Sequence, residues 1–480
     1  MRTRLRAAHV VGHGDGDHFL VRDGDVVWED DRLVHVGGRY DGPVDETVDC
    51  GEAVVVPGFV DLNALGDIDH AIFDSFQPDE LLAGQDWSPD HARHHRREVF
   101  DRADLAFRRE YAVVQLLLNG VTTALPIAAE TYRAWAETED ELDDLAEIAG
   151  RLGIRMYLGP SYRAGVPTTD ADGTRAMHWD ETEGERGLDG AIRFAERWEG
   201  AHDGRIRGLL APARIETQTP ELLVRTREEA ARLGVPVRLH AGQSHEEVVL
   251  LRERYDARPV EVLDRLGLLG PGLLVPHCWA VDAAGDDVRR LAETGTTVVF
   301  CPLASGRYGM VLDSFDSYRR AGVRMGLGTD TFPPDVLRAI DHGSVLTKAV
   351  EQDHTAGSVA DLFRAATVGG AEALGRPDLG RLAVGAKADL VVVGLDDLRL
   401  GPVDDPLRSI VMHGGGQHVR HVVVDGRFVV RDGAVPGVDV PAMRARAQRF
   451  FDDYRASFTE RDALRRPVET LMPPSFRVRG

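Results

Sequence analysis

Cysteine, lysine and long apolar runs are all scarce in this 480-residue sequence. The three cysteines, Cys50, Cys278 and Cys301, are too few and too scattered for a disulfide framework or a cysteine-rich zinc site. Such usage fits a reducing compartment, and the expected location is cytoplasmic. No apolar run approaches the roughly 18 residues that a membrane-spanning helix needs. The N-terminal MRTRLRAAHV has basic residues with no apolar stretch behind them, so no signal peptide is expected there. Lysine occurs only at Lys348 and Lys387, against 57 basic residues in all, a bias read as genome composition rather than mechanism. The net charge of −22 argues against nucleic acid and anionic membrane as partners. A local arginine could still bind an anionic substrate group.

What is present is the pattern of a large globular chain. Hydrophobic residues make up 43%, enough for a sizeable core, and the length suits one large domain with a smaller one. Strand-like segments at His18–Arg22, Val26–Trp28 and Arg32–Gly38 are separated by Gly-Asp turns. Near the other end, residues 380–394 (GRLAVGAKADLVVVG) lead into a buried strand. Residues 421–433 (HVVVDGRFVVRDG) read as a hairpin around Asp425-Gly426. Between them, apolar runs alternate with helical periodicity, which argues for βα units around a parallel sheet. The runs are Val56–Leu62, Gly120–Pro126, Arg155–Gly159, Ile206–Pro212, Val235–His240, Leu273–His277, Thr297–Pro302 and Val323–Asp330. Eight repeats over about 320 residues suit a (β/α)8 TIM barrel with insertions. Catalytic groups of such barrels sit at strand C-termini, where this sequence places His240, His277, Cys301 and Asp330. Met443–Phe451 in the charged tail is expected to be helical, packing on a neighbouring segment or a second subunit.

Several motifs stand in fixed order. Residues 54–65 read VVVPGFVDLNAL, 239–247 LHAGQSHEE, 276–282 PHCWAVD, 301–305 CPLAS, 326–331 GLGTDT and 385–393 GAKADLVVV. Together they resemble the amidohydrolase superfamily, nearest its cytosine deaminase and chlorohydrolase branch. The resemblance implies a barrel beside a small discontinuous β-sandwich formed by both chain ends. The expected division is 1–56 and 376–440 for the sandwich, 57–375 for the barrel and 441–480 for a helical tail. A homodimer is implied at family level. The resemblance also implies a metal ligand at His240, a metal ligand or substrate-polarising group at His277, and a ligand and general base at Asp330. Two departures stand out. The family's first-strand His-x-His is replaced by Asn63 and Leu65, and the glutamate that shuttles protons three residues after the fifth-strand histidine is Gln243. Glutamine can orient a substrate but cannot supply a proton near neutrality.

The expected activity is therefore water attack on a carbon–nitrogen bond, or a carbon–chlorine bond, of a small nitrogen heterocycle. One divalent metal, zinc in first place, would be held by His240, His277 and Asp330, since catalytic zinc takes about three protein ligands. Asn63, Gln243, His245 and Arg214 are the expected substrate contacts. Glu246 or His245 is the nearest replacement acid, and Asp67 or His70 a replacement ligand. His91 and His95 stand one helical turn apart, a spacing that can bind metal but more often marks a solvated face. Arg163, Arg214 and Arg307 follow strands and could clamp a carboxylate. Cys278 and Cys301 read as small core residues. The alternative is a metal-free enzyme on the same fold, a lyase or isomerase using Asp330 and His277, or a small-molecule binding protein.

Overall fold

Continuous apolar runs become strands buried on both faces. In the computed structural model, which describes residues 1–68, 89, 100–127, 135, 137–282, 285–312 and 314–479, all eight expected runs supply barrel strands. They are Phe59–Leu65, Val121–Ile127, Arg155–Leu158, Ile206–Gly208, Val237–Arg238, Leu273–Pro276, Thr297–Phe300 and Arg324–Leu327, numbered one to eight below. The first strand is buried at every position, as parallel strands covered by helices require. Strands one to four form one parallel ladder and five to eight another. Leu210 and Val237 bridge the ladders in parallel. The other seam closes where Asp330 N donates to Asn63 O at 2.9 Å. Gly328 permits this approach, because a Cβ there would stand 2.8 Å from that of Asn63.

Both chain ends build one eight-stranded mixed sheet. Ala53–Pro57 pairs antiparallel with Leu390–Gly394, so the segment entering the barrel and the segment after it lie side by side. The hairpin at Asp425-Gly426 has both residues at positive φ, 47° and 75°, the pairing that suits a two-residue turn between twisted strands. The longest strands, Arg2–Gly14 and Asp17–Glu29, pair along almost their whole length.

A buried charge cluster joins sheet to barrel. Arg155 of strand three contacts Asp389 at 3.2 Å and Asp425 at 2.7 Å. The tail helix, Val440–Ala456, packs within this chain, with Phe450 stacked on Phe100 at 3.9 Å between ring centroids. No helix among the described residues is long and apolar enough to cross a membrane. His70, His91 and His95 lie outside the described residues.

Candidate active site

The polar residues that follow strands five, six and eight meet at the barrel mouth. The His240 and His277 rings lie 5.4 Å apart between centroids, tilted by 37°. His277 Nε2 is 3.4 Å from Asp330 Oδ2, without hydrogen-bonding geometry. His240 Nδ1 lies 3.0 Å from Ala213 O. A carbonyl only accepts, so Nδ1 carries the hydrogen and Nε2 keeps its lone pair. His277 Nδ1 lies 3.3 Å from Ser305 Oγ. His277 and Asp330 adopt φ of 66° and 51°, a left-handed conformation that disfavours most non-glycine residues by roughly 1–2 kcal/mol. Strain of this kind gathers at functional sites.

Burial decides the charge of these groups. It lowers the pKa of His277 to about 3, with help from the Arg214 charge. Burial also drives His240 well below the ordinary range, and the charges of His277, Arg238 and Arg214 add to it. Both imidazoles are neutral near pH 7, the state that metal ligation requires.

Among the described residues, no three His, Cys, Asp or Glu side chains are already closed around one point. His277 Nε2 and Asp330 Oδ2 nevertheless have the chemistry and spacing of two ligands to one ion. Two ligands about 2.1 Å from a tetrahedral zinc stand about 3.4 Å apart, the separation of His277 Nε2 and Asp330 Oδ2. Two imidazoles on the same ion have ring centres about 5 Å apart on the same geometry. His277 Nε2 is buried and has no hydrogen-bond partner.

The first strand contributes differently. Asn63 is fully buried. Its Nδ2 donates to Cys301 Sγ at 3.8 Å, while Oδ1 has no partner. Leu65 is buried. Asp67 is engaged in a buried ion pair with Arg108 and accepts from Ile68 N at 2.7 Å, which makes it part of the packing around the first strand. Burial raises the Cys278 and Cys301 thiols far above their usual range, so both are inert core groups.

The loop after strand five is clamped rather than open. Glu247 accepts from Gly242 N at 2.6 Å and Gln243 N at 3.0 Å, and Trp279 Nε1 donates to Gln243 O at 2.6 Å. Gln243 is half-buried. His245 is exposed, edge-on to Trp279 at 4.8 Å. Glu246 is exposed and faces Arg175 at 3.7 Å. The structure therefore sets His245 at the rim and turns Glu246 away from His240. Arg214 pairs with Glu216 at 2.7 Å, and its backbone bridges His240. Arg307 braces the segment after Asp330, donating to Phe332 O at 2.8 Å. Arg163 is buried.

Three residues here escaped sequence reasoning. Asp61 accepts from Thr329 Oγ1 at 2.5 Å and Thr329 N at 3.1 Å, which fixes the backbone next to Asp330. Burial lifts its pKa to about 6, against the pull of those bonds. Glu247 is fully buried, and burial, followed by the Glu216 charge, raises its pKa. Arg238 is buried two residues before His240, on the same strand face. That period-two spacing was the one available signal.

The sequence model of the amidohydrolase family matches residues 54–429. The 5-methylthioadenosine/S-adenosylhomocysteine deaminase of Natronomonas pharaonis is 30% identical over 439 residues, 90% of this chain and 94% of that protein. A zinc-bound adenosine deaminase from Xanthomonas campestris superposes with a TM-score of 0.76 at 24% identity, over 95% of this chain and 98% of the other. A variant of the atrazine chlorohydrolase of Arthrobacter aurescens, complexed with zinc and atraton, gives 0.79 at 20% identity, over 93% and 99%. These relatives lend no support to a lyase, isomerase or binding protein. The barrel, its strand-end donors and the family match agree: the chain belongs to the amidohydrolase family and is a hydrolase of carbon–nitrogen bonds other than peptide bonds.

Proposed function

We propose that this hydrolase removes the exocyclic amino group of an adenosine-like nitrogen heterocycle. The observation that carries the reading is the convergence of His240, His277 and Asp330 at the barrel mouth, with both imidazoles held neutral by burial. The deaminase relative supports the substrate class. Water adds to the ring carbon, the carbon–nitrogen bond breaks, and ammonia leaves.

His240, through Nε2, and His277 and Asp330 would hold one divalent ion, zinc by comparison with the zinc-bound neighbours. Such an ion supplies Lewis acidity, lowering the pKa of water to near neutrality. Asp330 takes the proton from the attacking water. Gln243 cannot protonate the departing nitrogen, so Asp330 returns that proton to it and the carboxylate is regenerated. Gln243 and Asn63 hydrogen-bond the heterocycle, while Arg214 and His245 contact its substituent at the rim.

The test is ammonia release from aminopurine nucleosides, aminopyrimidines and aminotriazines, wild type beside Asp330→Asn. A general base contributes about 10²–10⁴ in rate, so the variant should lose at least a hundredfold in kcat while its melting temperature holds. Unchanged turnover in Asp330→Asn would refute the assignment.

A further inference from the structure

Arg238 belongs to strand five, Val237–Arg238. Its Nη1 donates to Leu125 O at 2.7 Å and to Pro126 O at 3.1 Å, and both carbonyls belong to strand two. Strands three and four separate these strands on one side, and six, seven, eight and one on the other. The guanidinium therefore reaches its acceptors only by crossing the barrel interior. That interior normally holds branched aliphatic side chains in layers. Here it holds a cation that is 2% exposed and has no ion pair with any described carboxylate.

Arg238 shares a strand face with His240, so its charge lies one layer beneath the site. Among the carboxylates Glu137 acts on it most strongly, ahead of Asp330 after strand eight and Asp61 on strand one. Burial lowers its pKa to about 10, which leaves it charged near neutrality. Strand one lies opposite strand five in an eight-stranded barrel, and it carries Asn63 and Leu65 where two histidines could have offered lone pairs. The guanidinium, having crossed the interior, ends on strand two, the neighbour of the strand that lacks donors.

We propose that Arg238 sets the metal affinity of the site: its fixed charge beneath the ligands keeps the bound divalent ion readily exchanged. The inference rests on His240, His277 and Asp330 being the ligands. An ion can leave the site, whereas the guanidinium cannot. Arg238 acts through the ligands and the ion, so it is a positioning residue in electrostatic terms.

The test is zinc titration of the metal-stripped full chain, followed by competition with a chromogenic chelator, for wild type, Arg238→Met and Arg238→Lys. Arg238→Met should bind zinc at least tenfold more tightly than wild type. Arg238→Lys, which keeps the charge, should stay within about threefold of wild type by the same Coulombic reasoning. Equal affinity in all three overturns the proposal while leaving the ligand assignment standing. No zinc in either wild type or Arg238→Met overturns the ligand assignment, and this proposal with it. Arg238→Met strips two buried carbonyls of their donor. Should it not fold, Arg238→Gln, whose amide can still donate to those carbonyls, removes the charge instead: zinc binding at least tenfold tighter than wild type is expected, and unchanged affinity would overturn the proposal.

Discussion

Arg155 and Arg238 are equally buried, at 1% and 2% exposure, yet they meet opposite electrostatic surroundings. Burial alone would lower the pKa of Arg155, but Asp389 and Asp425 outweigh it and the guanidinium ends above its ordinary value. Around Arg238 burial wins, because its hydrogen bonds go to neutral carbonyls and the carboxylates act only from a distance. The seam between sheet and barrel is therefore a neutralised clamp. The guanidinium beneath the active site has no ion pair among the described residues and is offset only from a distance by Glu137, Asp330 and Asp61. Structure tolerates a buried cation when carboxylates surround it, and function makes use of one that has been left partly unpaired.

The comparison can be broken most forcefully at the seam. Arg155→Met would strand Asp389 in the interior beside Asp425, which keeps Lys387 at 2.9 Å, and losing one partner of a buried ionic cluster costs about 3–5 kcal/mol. Urea unfolding should report a loss of that size. A loss below about 1 kcal/mol would mean that the cluster is not the clamp described. Arg238→Met strands no carboxylate. It leaves two carbonyls unsatisfied, which costs about 1–3 kcal/mol, so the same assay should show the smaller effect. A reversed order would contradict the contrast.

Acid sharpens the comparison further. In the metal-stripped protein, His277 stays neutral until about pH 3 and His240 is also held far below its ordinary range. The unfolded chain binds protons at histidine from about pH 6.5. The unfolded state thus gains protons first, and stability is full above pH 6.5 and falls as the pH drops toward 3. The expected slope is about 1.4 kcal/mol per pH unit for each histidine. His277→Gln should lower the slope by that single-histidine amount in a series of urea midpoints, and an unaltered slope would place the acid sensitivity elsewhere, His18 being lowered as well. The smallest effect is expected at Gln243. Gln243→Ala removes an orienting hydrogen bond worth about 1 kcal/mol, so kcat/KM should fall roughly tenfold or less with no change in unfolding midpoint. A loss as large as that of Asp330→Asn would make Gln243 part of the proton transfer.

Most of the barrel was legible because buried parallel strands are short apolar runs set off by turn residues. Leu273–Val275 and Val298–Val299 declare themselves this way. The first strand of the terminal sheet, Arg2–Gly14, was not seen. Arg2, Arg4 and Arg6 alternate with buried Thr3, Leu5 and Ala7, and the arginines dilute the apolar signal while pairing across to Glu29 and Asp25. The hairpin of Gly165–Thr169 with Arg175–Trp179 was missed for a similar reason, since only one of its strands is well buried.

At the site, His240, His277 and Asp330 could be read as strand-end residues. The neutrality of the two imidazoles could not, because it depends on burial. The role of Arg238 was hidden more deeply. It becomes visible only once the circular order of the strands shows that its hydrogen bonds cross the barrel. Glu247 looked like an ordinary helix residue until its carboxylate was found on the backbone of Gly242 and Gln243.

The central claim is that three strand-end residues, without the first-strand pair, make a working hydrolytic site. The most direct test is zinc content and ammonia release measured on the same preparations of wild type and His240→Ala, grown with added zinc. The account predicts about one zinc per chain in the wild type, with both zinc and ammonia release lost in the variant. A variant that keeps its zinc and its turnover, or a wild type that releases ammonia without binding any divalent ion, would contradict it.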